Sequence, residues 1–206
     1  MGLPASRDRR RSGRTPPAPR PSTAATARIP PDRIELTMTW SMPRITTGTE
    51  RRLLEHMLDR NRAELVAVVR GLSEEDARRR LVASRTTPLG LLKHAAVAER
   101  IWFQHVLAGL PESECDGGTT PGDASFEVAD DESSADVIAE FDRACECSRA
   151  IAAELDLDDI RTHPRVGDVS LRFVYLLAIE DFARHAGHGD ILREQIEHPV
   201  EEGHRA

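Results

Sequence analysis

Four side chains in this sequence have the types and spacing to hold a divalent metal ion. Asp181, His185 and His188 stand at i, i+4 and i+7 in VSLRFVYLLAIEDFARHAGHGDILREQIE, residues 169–197. In a helix they form one stripe, continued by Val174 and Leu177 at one end and Leu192 at the other, and such a stripe faces a core. A carboxylate and two imidazoles there are costly to desolvate unless they are hydrogen-bonded or coordinate a cation. Asp181 with His185 is the i, i+4 pair that can chelate one ion from a single helix face, and His185 with His188 is the i, i+3 version. An ion that does chemistry needs about three protein ligands and an open position. The third must come from another helix. His94 is the best placed, beside Leu91 and Ala98 on the edge of an apolar face. The competing reading is that Asp181 only orients His185 by a hydrogen bond, with His188 half-exposed and His94 at a helix boundary.

Other chemistries have weaker support. Cys115, Cys145 and Cys147 are odd in number and lack zinc-finger spacing. Cys145 and Cys147 lie about 200° apart around a helix and cannot both face one ion. They read as small half-buried residues in a reducing compartment, with a minor redox role open for Cys115 in its loop. Ser170 reads as a helix cap, and no G-x-S-x-G elbow or glycine-rich phosphate loop occurs. His56 has no ligand-type partner at i+3 or i+4 and reads as a boundary histidine. His163 precedes Pro164 in a loop and reads as solvent-exposed.

The elements that must position these residues follow from apolar periodicity. A first helix is predicted over 49–70, closed by Gly71, and Ser73 opens a short helical turn through the capping motif SEED. Thr87 as cap and Pro88 at the first position start a second long helix, which reaches about Leu107 and stops at Gly109 and Pro111. Glu99 lies five positions after His94, roughly 140° around that helix, so it belongs to another face and makes a salt bridge or a contact behind the ligands. Residues 111–131 are rich in Gly, Pro, Ser, Thr and acids without a period and read as a long loop. Ser133 or Ser134 caps a third long helix to about Leu155, and a turn-rich link over 156–168 leads to the fourth. Ligand sites in such bundles are built from facing helices, which puts an ion between the second and fourth long helices.

Composition sets the class. Only 4% of the 206 residues are aromatic and 31% are charged, which favours small aliphatic packing between helices and an all-α fold. The net charge is −7, but residues 1–43 hold eight Arg against three acids, so the remainder carries −12. That acidic part argues against a nucleic-acid surface. No stretch approaches the roughly 18 apolar residues of a membrane span, and the N-terminus lacks the apolar core of a secretory signal, so a soluble, cytoplasmic protein is expected. The expected organisation is a disordered Arg- and Pro-rich tail over 1–43, a four-helix bundle over 44–198 and a disordered C-terminus over 199–206.

LGLLKHAAVAERIWFQHVLAG at 89–109 and SLRFVYLLAIEDFARHAGHGDILREQIE at 170–197 resemble the DinB-like superfamily of metal-binding four-helix bundles. With MTWSMPR at 38–44, they look like its actinobacterial branch. The resemblance implies a zinc or nickel ion held by one histidine of the second helix, matched by His94, and by an H-x-x-x-H or E-x-x-x-H pair of the last helix, matched by Asp181 and His185. Asp181 stands where other members have His or Glu, which shortens the reach by one methylene. His188 falls where many relatives have Gln, and it either replaces Asp181 as a ligand or supports the ligands from behind. Some relatives are transferases or isomerases that use mycothiol or bacillithiol. The resemblance thus implies a metal-dependent S-transferase or isomerase that joins a small-molecule thiol to an electrophilic substrate, with a homodimer common among relatives. A non-catalytic, stress-associated metal-binding protein and a metal-free helical interaction module are the alternatives, because fold alone does not establish activity.

Overall fold

The computed structural model describes residues 44–199. The tail expected over 1–43, and all but Pro199 of that expected over 199–206, lie outside the described residues. Helix α1, Glu50–Val69, begins where the Thr49 hydroxyl accepts the Arg52 N–H at 3.3 Å, and it ends before Gly71, whose φ of +85° suits glycine. Ser73 caps the single turn α2, Glu74–Ala77. Helix α3, Pro88–Glu99, is capped by Thr87, which accepts the Gly90 N–H at 2.9 Å. Ser133 and Asp136 form a reciprocal capping box at the start of α4, Ser134–Ala153. Ser170 accepts the Phe173 N–H at 3.2 Å and starts α5, Leu171–Glu197. Each of these starts has a local side-chain signal.

The four long helices pack around one core, α1 beside α5 and α3 beside α4, with α3 also against α1 and α5. Leu58 and Leu65 of α1, Leu92 of α3, Phe141 of α4 and Val174 and Phe182 of α5 are buried together. No helix among the described residues is long and apolar enough to cross a membrane. At Gly189 the backbones of α5 and α1 come close, because a Cβ there would lie 2.5 Å from Val68 Cγ2 and 3.1 Å from its Cβ. Gly189→Ala is expected to destabilise the protein by about 1–3 kcal/mol despite alanine's better helix propensity, since overpacking a buried contact outweighs it. Equilibrium urea unfolding checks this, and an unchanged or higher midpoint would show that the helices can move apart freely.

Two departures from the sequence expectation matter for the site. Residues Arg100–Leu107, expected to be ordinary α-helix, continue α3 as a π-helix, in which the Ala108 N–H donates to the Phe103 carbonyl at 2.9 Å. Arg100 and Gln104 of this segment share one partner, Asp116 of the following loop, at 2.6 and 2.9 Å. The expected link over 156–168 contains a small antiparallel hairpin, β1 Ile160–His163 and β2 Gly167–Ser170, so the all-α expectation holds apart from this one addition. The hairpin is tied by the Thr162 hydroxyl donating to Asp168 at 2.8 Å, and Arg161 Nε fixes it to the π segment through the Leu107 carbonyl at 3.1 Å. Four-residue strands are too short for alternation to stand out against turn residues.

Candidate functional site

Helices α3 and α5 face each other across His94, Asp181 and His185. One ligand-type atom from each of the three lies within 4.8 Å of the others. His94 Nε2 is 3.5 Å from Asp181 Oδ2, and His185 Nε2 is 3.3 Å from Asp181 Oδ1. All three side chains are half-buried. His188 is exposed, one turn along α5, with its ring 5.6 Å from that of His185, and it is not in this group.

The loop over 111–131 determines which nitrogen of His94 faces Asp181. Ser125 Oγ donates its only hydrogen to the Gly122 carbonyl at 2.5 Å, so its 2.7 Å contact with His94 Nδ1 requires the imidazole to donate there. In a neutral ring Nε2 then presents a lone pair to a carboxylate oxygen. Two acceptors at this distance repel unless a cation or a proton lies between them. Phe126 stacks on His94 with centroids 4.3 Å apart and an interplanar angle of 5°. Gly90 makes this possible, since a Cβ there would lie 2.8 Å from the Phe126 carbonyl oxygen.

Partial burial works against the Asp181 carboxylate, yet hydrogen bonds and positive charge from His185 and His94, when their facing nitrogens carry a proton, hold it well below the usual carboxylate range. His185 Nδ1 is buried and has no hydrogen-bond partner among the described residues. Two imidazole nitrogens and one carboxylate oxygen, with the His94 lone pair facing the carboxylate, are a donor set that fits a divalent transition metal. A cavity of about 490 Å³ adjoins the group, lined by His94 and Asp181 at one side and by the loop, the π segment and the hairpin turn elsewhere.

The other candidate residues sort differently. Glu99 is turned away from the group and is fully buried against Arg62 of α1, with Nε to Oε1 and Nη2 to Oε2 both 2.8 Å. His56 accepts the Ile45 N–H at 3.1 Å and is buried. His163 is half-buried rather than exposed, because its ring stacks on Trp102 at 5.2 Å and lines the cavity. Burial, helped by Glu99 at Cys145 and by Asp116 at Cys115 and Cys147, pushes all three thiols above their ordinary value, which disfavours the thiolate form at each.

Ser125, Phe126 and Asp116 carry no sequence signal because the loop has no period. Asp116 is held by Arg100, which is fully buried and bound to both Asp116 and Glu140 at 2.6 and 2.7 Å. A Cβ at Gly117 would lie 2.6 Å from the Arg100 guanidinium carbon, so the loop crosses directly over it. The adjacent Gly117 and Gly118 are the one hint the sequence offers.

A family model described as Mycothiol-S-transferase matches residues 53–198. No curated protein matches the chain.

Proposed function

The chain belongs to the mycothiol S-transferase family, and on that premise we propose that His94, Asp181 and His185 hold a divalent transition metal, zinc or nickel, for transfer of the mycothiol sulfur to an electrophile. The observation that carries this reading is the convergence of the three ligand atoms, with the His94 lone pair aimed at a carboxylate. A metal ion bound there would lower the pKa of a thiol in contact with it, supplying the thiolate form near neutral pH.

The chain's own residues do the rest. Ser125 and Phe126 hold the His94 ring in one tautomer and one plane. Asp181 contributes the single negative charge of the group, and its lowered pKa keeps that charge across the physiological range. Ile101, Trp102, Leu177 and Phe182 give the adjoining cavity apolar walls that exclude water from a reacting pair. In the transfer the thiol proton passes to solvent, the sulfur bonds to the electrophilic carbon, and a leaving group departs with its electron pair where the electrophile carries one.

Protein reconstituted with zinc or nickel and freed of excess ion is expected to retain close to one equivalent. It should then consume mycothiol with a bimane halide as electrophile, faster than the uncatalysed reaction. No retained metal would sink the reading, and metal without thiol transfer would leave a non-catalytic metal-binding protein. Ser125→Ala should keep the ligands but weaken metal binding by roughly 10- to 100-fold, the usual cost of losing a group that orients a ligating histidine. Competition with a graded chelator reads this directly.

A further inference from the structure

Two histidines outside the metal group line the same cavity, and backbone contacts set them in opposite tautomers. His105 of the π segment places Nδ1 2.7 Å from the Leu110 carbonyl oxygen. A carbonyl only accepts, so Nδ1 carries the hydrogen and Nε2 of the neutral ring is an acceptor. His163 at the hairpin turn does the reverse. Its Nδ1 accepts the N–H groups of Arg165 and Val166 at 3.1 and 3.3 Å, so its Nε2 carries the hydrogen and is a donor. Neither Nε2 has a hydrogen-bond partner among the described residues, and both rings are half-buried on the cavity wall. Trp102, stacked on His163, lines the cavity beside them, and Glu112 and Arg165 add one charge of each sign.

This end of the cavity is remote from the metal group. His94 and His105 are eleven residues apart on one continuous helix, roughly 15 Å along its axis. Groups here cannot act on a sulfur held near His94. They can hold the far end of a molecule whose sulfur is there.

We propose that this end of the cavity is a subsite for a neutral polyhydroxylated group, with His105 accepting from and His163 donating to its hydroxyls. The proposal rests on the function argued above, since the group is the non-reacting part of the thiol co-substrate. A hydroxyl both donates and accepts, which matches one free acceptor and one free donor. An apolar electrophile would leave both ring nitrogens unpaired, at a cost. The opposite charges of Glu112 and Arg165 give no net attraction to an ionic ligand, and the indole of Trp102 offers a platform for the C–H face of a sugar or cyclitol. Mycothiol, a cysteine derivative of a glucosaminyl-inositol, carries such a group.

Two variants separate a binding role from a structural one. In His105→Asn the short amide can keep the hydrogen bond to Leu110 but places nothing at Nε2, whereas in His105→Gln the amide reaches the Nε2 position and abandons Leu110. With the metal-loaded protein, His105→Asn is expected to raise KM for mycothiol roughly three- to tenfold, the cost of one lost neutral hydrogen bond, with kcat unchanged. The same variant should leave kinetics with N-acetylcysteine, which has the thiol but no polyol, as in wild type. His105→Gln should recover most of the mycothiol KM. The opposite order, or equal losses with both thiols, would overturn the subsite. Thiol-free N-acetylglucosaminyl-inositol, neutral because its amine is acylated as in mycothiol, supplies a readout independent of turnover. Saturation-transfer NMR should detect its binding to wild type and His105→Gln, weakened in His105→Asn, and no binding to wild type would also overturn the proposal. Binding of that probe by a protein that transfers no thiol would reject the transferase reading and retain the subsite.

Discussion

His185→Ala is expected to strip the protein of tightly bound metal and, with it, of thiol transfer. His185 is the least exposed of the three grouped side chains at 14%, its Nε2 lies 3.3 Å from Asp181, and its Nδ1 is buried without a partner. Alanine leaves one imidazole and one carboxylate on opposite helices, too few to hold an ion against water. Groups that merely orient a ligand cost roughly 10- to 100-fold in affinity, so loss of a ligand should exceed about 100-fold. His94→Ala should behave the same way, because it removes the only contribution from α3. The informative contrast is with His188→Ala and Asp181→Ala. His188 is exposed and outside the group of three, so its removal should leave the metal content of purified protein unchanged, while Asp181→Ala should abolish it. Elemental analysis of untagged protein reads all four variants. Metal retained in Asp181→Ala and lost in His188→Ala would transfer the third position to His188.

The meeting of His94 with Asp181 and His185 is legible in the sequence because it depends on local rules. Spacing of i, i+4 fixes the second pair on one face of α5, and Thr87 and Pro88 fix where α3 begins and so which way His94 turns. The same periodicity sets Glu99 off the His94 face. What it could not supply is Arg62 as its partner, which lies 37 residues away. Ser125 and Phe126 are illegible for the same reason. Ser125 meets His94 across 31 residues of sequence, and no local pattern encodes a loop that folds back onto α3. The π segment is a subtler loss. Its residues would suit an α-helix equally well, and the wider turn shows only in the backbone, where the Ala108 N–H reaches the Phe103 carbonyl five residues back. His163 reads as exposed in a turn-rich link until the hairpin places it against Trp102.

Glu99→Ala is expected to lower the unfolding free energy by about 3–5 kcal/mol, the cost of leaving a buried charge without its partner. Glu99 has no exposed side-chain surface and Arg62 only 6%, and the two meet through a pair of parallel 2.8 Å hydrogen bonds. Arg62 also bonds Asp59 at 2.8 Å and lies 5.9 Å above the Phe103 ring, so it cannot follow the lost carboxylate into solvent without unpacking α1 from α3. A loss of that size is a large share of the roughly 5–15 kcal/mol typical of a folded domain, so the urea midpoint should fall steeply with little change in slope. Replacing both partners with apolar residues, as in Arg62→Met with Glu99→Leu, should recover much of the loss, because the penalty comes from the unpaired charge rather than from the absent pair. A cost below about 1 kcal/mol for Glu99→Ala would mean that water reaches the guanidinium and that the pair behaves as a surface one. Metal content provides the second axis. Glu99 borders the cavity but faces away from His94, so the folded Glu99→Ala protein should still bind its metal at 25 °C. The ligand variants should do the reverse and lose the metal while the Arg62–Glu99 pair continues to join α1 to α3.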